Sequence, residues 1–125
     1  MQNQIISTQS QRDTASDTKG KRLLIIGGDG RCHQIRRLYN ELCLACIVWQ
    51  CTRETDASRR RFEHLIRGRG FDIVVLLSGL VRHQHLADVR RLCRQEGIQL
   101  LVLYRSPNPS QVSAALKRQM ELRRS

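Results

Sequence analysis

The run Ile73–Val74–Val75–Leu76–Leu77 contains no polar residue, and this restricts the fold more than any other feature of the chain. A strand with one face in water alternates apolar and polar residues. A strand that is apolar on both faces must be covered on both, as happens in a parallel sheet layered between helices. A second run of this kind, Leu23–Leu24–Ile25–Ile26, follows Arg22 and stops at Gly27–Gly28–Asp29–Gly30. Two more strands read at Cys46–Cys51 and at Ile98–Tyr104, and the run from Phe71 to Leu77 is the strongest of the four.

Helical patterns separate the strands. Ile35, Leu38, Tyr39 and Leu42 recur at helical spacing after the first strand, with Arg36, Arg37, Asn40 and Glu41 off that face. Residues Ser58 to Arg67 place Phe62, Leu65 and Ile66 inward, and Gly68 and Gly70 end that helix. A third helix from about His83 to Gln95 turns Leu86, Val89, Leu92 and Cys93 inward, and Gly97 stops it. After the turn Ser106–Pro107–Asn108–Pro109–Ser110 comes a last helix with Val112, Ala115, Leu116 and Met120 inward. Strand and helix alternate four times, which predicts parallel strands joined by right-handed crossovers. The expected fold is a small three-layer α/β domain of flavodoxin-like type with a four-stranded parallel sheet in the order 2-1-3-4. Residues 21–125 form the domain, and residues 1–20, rich in Gln, Ser, Thr and Asp, read as a flexible polar tail.

In such a sheet the connections leave strands one and three in opposite directions, and ligands bind in the crevice at the carboxyl ends of the strands. Two loops meet there: Gly27–Gly28–Asp29–Gly30–Arg31–Cys32–His33 and Ser78–Gly79–Leu80–Val81–Arg82–His83–Gln84–His85. Cys32, His33, His83 and His85 supply thiolate and imidazole, ligands suited to a transition metal or to haem iron. His83 and His85 are two residues apart and diverge by about 200° on a helix, so one of them is better placed than both. Gly27, Gly28, Asp29, Gly30, Arg31, Ser78 and Arg82 are the expected ligand-binding set. Glycines let the backbone approach a ligand, a helix N-terminus attracts anions, and the two arginines could clamp one. The spacing is neither the dinucleotide fingerprint nor a phosphate-binding P-loop, so a plain tight turn is the competing account of these glycines.

The net charge is +11, and all of the excess lies beyond residue 20, because Arg12 and Lys19 balance Asp13 and Asp17. Such a surface draws anions. Arg59, Arg60, Arg61, Arg90, Arg91 and Arg94 fall on the second and third helices, which cover one sheet face, and this set could bind nucleic acid through phosphates or meet an acidic partner. No aromatic platform for single strands and no helix-turn-helix spacing is visible.

Cys43–Leu44–Ala45–Cys46 matches C-x-x-C but closes a helix instead of opening one, and reads as buried structural cysteine, as do Cys51 and Cys93. Five cysteines argue against a disulfide framework. With no apolar leader and no run long enough to span a bilayer, the expectation is a cytoplasmic protein with reduced thiols and no membrane. Exposed edges on a small sheet favour a homodimer. Catalysis lacks support. No carboxylate pair stands out, and Cys32 and His33 are sequence neighbours that a turn rarely brings face to face.

The stretches RLLIIGGDGRCHQIRRLYNEL and FDIVVLLSGLVRHQHLADVRRLCRQEGIQLLVL together resemble a family of small bacterial proteins catalogued as domain of unknown function 2325. The resemblance covers Lys21 to Leu116, and Gly27–Gly28, His83 and Cys93 fall on its pattern. It implies a Rossmann-like α/β fold, no established enzymatic activity, and an association of some relatives with iron or haem biology. His33 and His85 rest on this sequence alone. Three readings therefore stand: a non-enzymatic regulatory or sensor protein binding haem or a transition metal; a basic module for nucleic acid or an acidic partner; and a nucleotide or phosphate site at the glycine loop.

Overall fold

The computed structural model describes residues 18–28, 30–51 and 59–124, with side chains except at residues 59–61, 123 and 124. Within them run strand β1 (Arg22–Ile26), helix α1 (Cys32–Glu41), β2 (Cys46–Gln50), α2 (Arg59–Gly68), β3 (Ile73–Leu77), a 3-10 turn (Ser78–Leu80), α3 (His83–Glu96), β4 (Gln99–Leu103) and α4 (Pro109–Arg124). All three strand pairings are parallel and the order is β2-β1-β3-β4. The fold is thus the expected four-stranded parallel α/β domain.

The apolar runs explain the layering. Side chains alternate across a strand. Leu24 and Ile26 of β1, with Val74 and Leu76 of β3, pack under Phe62, Leu65 and Ile66 of α2 and Val89, Leu92 and Cys93 of α3. Leu23 and Ile25, with Ile73, Val75 and Leu77, pack under Leu38 and Leu42 of α1 and Val112 and Leu116 of α4. Every residue of β3 is buried, as a central strand covered on both faces must be. Gly97, left-handed at φ 68°, ends α3 as expected, with the next N–H, of Ile98, bonded back to the Cys93 carbonyl at 2.9 Å.

Several boundaries and orientations differ from the sequence expectation. β3 begins at Ile73, not Phe71, because Asp72 is used to join strands: its carboxylate accepts the Arg22 N–H at 2.9 Å and its own N–H donates to the Arg22 carbonyl at 2.9 Å. Tyr39 and Met120 are exposed, not inward: each helix buries a stripe narrower than its apolar pattern, Leu38 and Leu42 in α1 and Val112 and Leu116 in α4. Thr18 and Gly20, expected in the tail, are held to the domain. Thr18 is buried and donates its hydroxyl to the Leu42 carbonyl at 2.7 Å, while the Gly20 N–H bonds to the Cys43 carbonyl at 2.9 Å. The rest of the expected tail (residues 1–17), Asp29, and residues 52–58, including Ser58 at the expected start of the second helix, lie outside the described residues. No helix among the described residues is long and apolar enough to cross a membrane.

Candidate functional site

β1 and β3 lie side by side with Ile26 opposite Leu76, so both run out at the same edge of the sheet. Residues 27–31 lead from β1 into α1 on one face, and residues 78–82 lead from β3 into α3 on the other. Helix N-termini usually begin with Ser, Thr, Asp or Asn, whose side chains occupy the free N–H groups. Here the N-cap residues are Arg31 and Arg82, neither makes a side-chain cap bond, and neither helix has an acidic residue in its first turn. Two positive helix ends, each led by an arginine, therefore lie at one edge of the sheet, one on each face, which makes the edge attractive to an anion from both sides.

Cys32 and His33 open α1 and His83 opens α3, and all three are exposed. His85 parts from them. It is half-buried, with its ring edge-on to Phe62 of α2 at 5.1 Å between centroids and 66° between planes. The two-residue spacing sets His83 outward and turns His85 onto the neighbouring helix. Among the described residues, no three His, Cys, Asp or Glu side chains gather as a metal-holding group.

The glycines of the edge serve packing. Gly27 adopts φ +129°, and a Cβ there would lie 2.9 Å from Leu77 Cβ. Gly28 adopts φ +66° with Leu80 Cδ1 2.9 Å from the Cβ position, and at Gly30 the Trp49 ring lies at 2.8 Å. Trp49 also donates its indole N–H to the Gly27 carbonyl at 2.7 Å. Ser78 donates to the Leu103 carbonyl at 3.4 Å, and the Gly79 N–H bonds to the Tyr104 carbonyl at 2.8 Å. The sequence reading placed Gly79 and Leu80 at this edge but missed Trp49 and Tyr104. Their signal was present: two of the five aromatics, Trp49 and Tyr104, stand at the carboxyl ends of strands.

Two of the cysteine expectations need correction. Cys43 is exposed, at φ 52° just past the end of α1; its thiol donates to the Asn40 carbonyl at 3.7 Å. Cys51 is exposed because it follows β2, an edge strand, where that strand leaves the sheet. Cys46 is half-buried. Cys93 is buried as expected, and burial pushes its thiol from 9.0 up to about 12. The neutral thiol therefore supports the fold fully below pH 9, and that contribution is lost as pH rises towards 12, because the unfolded chain releases its proton first. Iodoacetamide at pH 8 is expected to label Cys32, Cys43 and Cys51 in the folded protein and Cys93 only in denaturant; peptide mass spectrometry showing Cys93 labelled as fast as Cys32 would contradict this.

Of the expected nucleic-acid set, Arg90, Arg91 and Arg94 are exposed on α3, with Arg91 3.6 Å from Asp88. Arg67 of α2 donates to Gln95 of α3 at 3.0 Å, so basic groups of the two helices share a side. Arg59, Arg60 and Arg61 begin α2, and their side chains lie outside those described. Comparison with family models, with curated proteins and with solved structures finds no match to this chain.

Proposed function

We propose that this domain is a binding module, not a catalyst, that holds an anionic cofactor, haem or a transition-metal complex, in the crevice between β1 and β3. The observation that carries the reading is the pair of helix N-termini facing one edge, each led by an arginine and each opening on imidazole or thiol: Arg31–Cys32–His33 and Arg82–His83. Haem suits such a layout. Its iron takes one or two axial side chains, for which His83 and Cys32 or His33 are the candidates, and its propionates are carboxylates for Arg31 and Arg82. His85, committed to Phe62, is not among these ligands. The resemblance noted for Gly27–Gly28 and His83 points the same way. A regulatory or sensor role fits a module that binds without turnover.

Titration with hemin is expected to shift the Soret band at one equivalent, and His83→Ala to weaken binding by roughly 10- to 100-fold, the scale on which metal affinity responds to losses around a site. An unshifted Soret band, with no stoichiometric metal in the purified protein, would overturn the reading.

A second reading rests on α3, where Arg90 and Arg94 stand one turn apart and exposed, with Arg67 of α2 held to Gln95 of the same helix. Through phosphate contacts this side would bind nucleic acid with affinity falling steeply as salt rises. Release from heparin at low salt would count against it.

A further inference from the structure

The edge carries an apolar strip, Leu80 and Tyr104, that neither the anion reading nor the core explains. Trp49 lies over Gly30, Leu80 over Gly28 and Tyr104 over Gly79, where a Cβ would meet the Tyr104 ring at 3.1 Å. Leu80 thus lies across from the turn after β3 to the loop after β1, and Tyr104 reaches the turn after β3 from the end of β4. Glycine at each position lets a side chain lie flat against the backbone. Leu80 nevertheless stays 38% exposed and Tyr104 67% exposed. Single exposed apolar residues are ordinary, but Leu80 and Tyr104 both adjoin Gly79 beside two positive helix ends, and such a grouping suits a binding surface. Basic groups accompany the pair: the Arg105 guanidinium lies over the Tyr104 ring, 5.3 Å from its centroid, where it can close on a ring laid against Tyr104, and Arg31 and Arg82 lead the flanking helices.

We infer that the strip formed by Leu80 and Tyr104 is a stacking shelf for the flat aromatic part of the ligand, and that the site selects planar aromatic anions over anions without a ring. This rests on the anion-binding crevice proposed above and adds the shape of what it takes. A ring laid on Leu80 and Tyr104 covers apolar surface, while its carboxylates or phosphates reach Arg31, Arg82 and Arg105. Trp49, the only tryptophan, packs on Gly30 and bonds to the Gly27 carbonyl at the same edge, so its fluorescence reports occupancy.

The test titrates wild type, Tyr104→Ala and Tyr104→Phe with metal-free protoporphyrin IX, with ATP as a smaller planar anion, and with citrate as an anion lacking a ring. Protoporphyrin, ATP or both should quench Trp49, and whichever arm responds identifies the source of the ring. Tyr104→Ala should weaken that binding roughly 5- to 100-fold, the range of one aromatic stacking contact, and Tyr104→Phe should leave it unchanged. Because Tyr104 is exposed, its truncation should leave the melting temperature close to wild type. Equal binding of protoporphyrin to wild type and Tyr104→Ala, or citrate binding as tightly as the planar anions, would overturn the shelf while leaving the anion crevice standing. Tyr104-dependent binding of protoporphyrin alongside an unshifted hemin Soret band would do the reverse, retaining the shelf and removing the iron ligation. No response to any of the three overturns both.

Discussion

Gly27→Ala is expected to destabilise the domain by about 3 kcal/mol or more, a fall in melting temperature of roughly 10–20 °C for a chain of this size. Two independent costs add. At φ +129° the backbone sits where L side chains are strained, and the new methyl would meet Leu77 Cβ at 2.9 Å and the Leu77 carbonyl oxygen at 3.3 Å. Neither neighbour can move cheaply, because Leu77 is fully buried at the end of the central strand β3. Gly97→Ala is the control. Its φ of +68° is also left-handed, but nothing lies within 4 Å of the Cβ position, so only the backbone term of about 1 kcal/mol applies. Thermal melts of the two variants should rank clearly, and a Gly27→Ala protein melting within a few degrees of wild type would contradict the described turn.

Phe62→Ala is expected to cost about 3–5 kcal/mol, the usual range for truncating a buried aromatic. Phe62 is fully buried and is the largest side chain between α2 and the sheet, in contact with the cluster that includes Leu24, Leu76, Val89 and Leu92. Its removal also takes away the ring that His85 meets edge-on, a contact of about 0.5–1.5 kcal/mol. Urea unfolding followed by circular dichroism should show the midpoint falling by this amount. A loss below about 1 kcal/mol would mean that α2 does not close this face. At low temperature the folded fraction of Phe62→Ala should still bind hemin, because His83, Arg31 and Arg82 lie at the edge and not in this layer.

The sheet was legible because its information is one-dimensional. Non-alternating runs at Leu23–Ile26 and Ile73–Leu77 can only be strands covered on both faces, and from that follow the order, the layers and the switch between β1 and β3. The location of the candidate site came with the topology. The exposure of particular side chains did not. Tyr39 and Met120 share the spacing of core residues but fall at the margin of their helices' buried stripes, and periodicity cannot separate margin from centre. Cys43 and Cys51 were misplaced because burial of a short apolar residue depends on where the chain turns. The glycines were ambiguous for a related reason: an open Cβ position in sequence can admit a ligand or a neighbour, and here Leu77, Leu80 and Trp49 fill those positions. The pairing of Leu80 with Tyr104 was invisible because the contacts that bring them to this edge join the loop after β1, the turn after β3 and the end of β4.

The central claim is a place: the ligand enters at the carboxyl edge between α1 and α3. Amide proton–nitrogen spectra recorded during addition of hemin test it most directly, since the iron broadens signals from nearby N–H groups. The account predicts the strongest effects at Arg31 to Gln34 and Ser78 to His85, with Ala45, Asp72 and Gly97 at the opposite edge unchanged. Broadening centred on Ala45, Asp72 and Gly97, or confined to Arg90 and Arg94 on the outer side of α3, would contradict it.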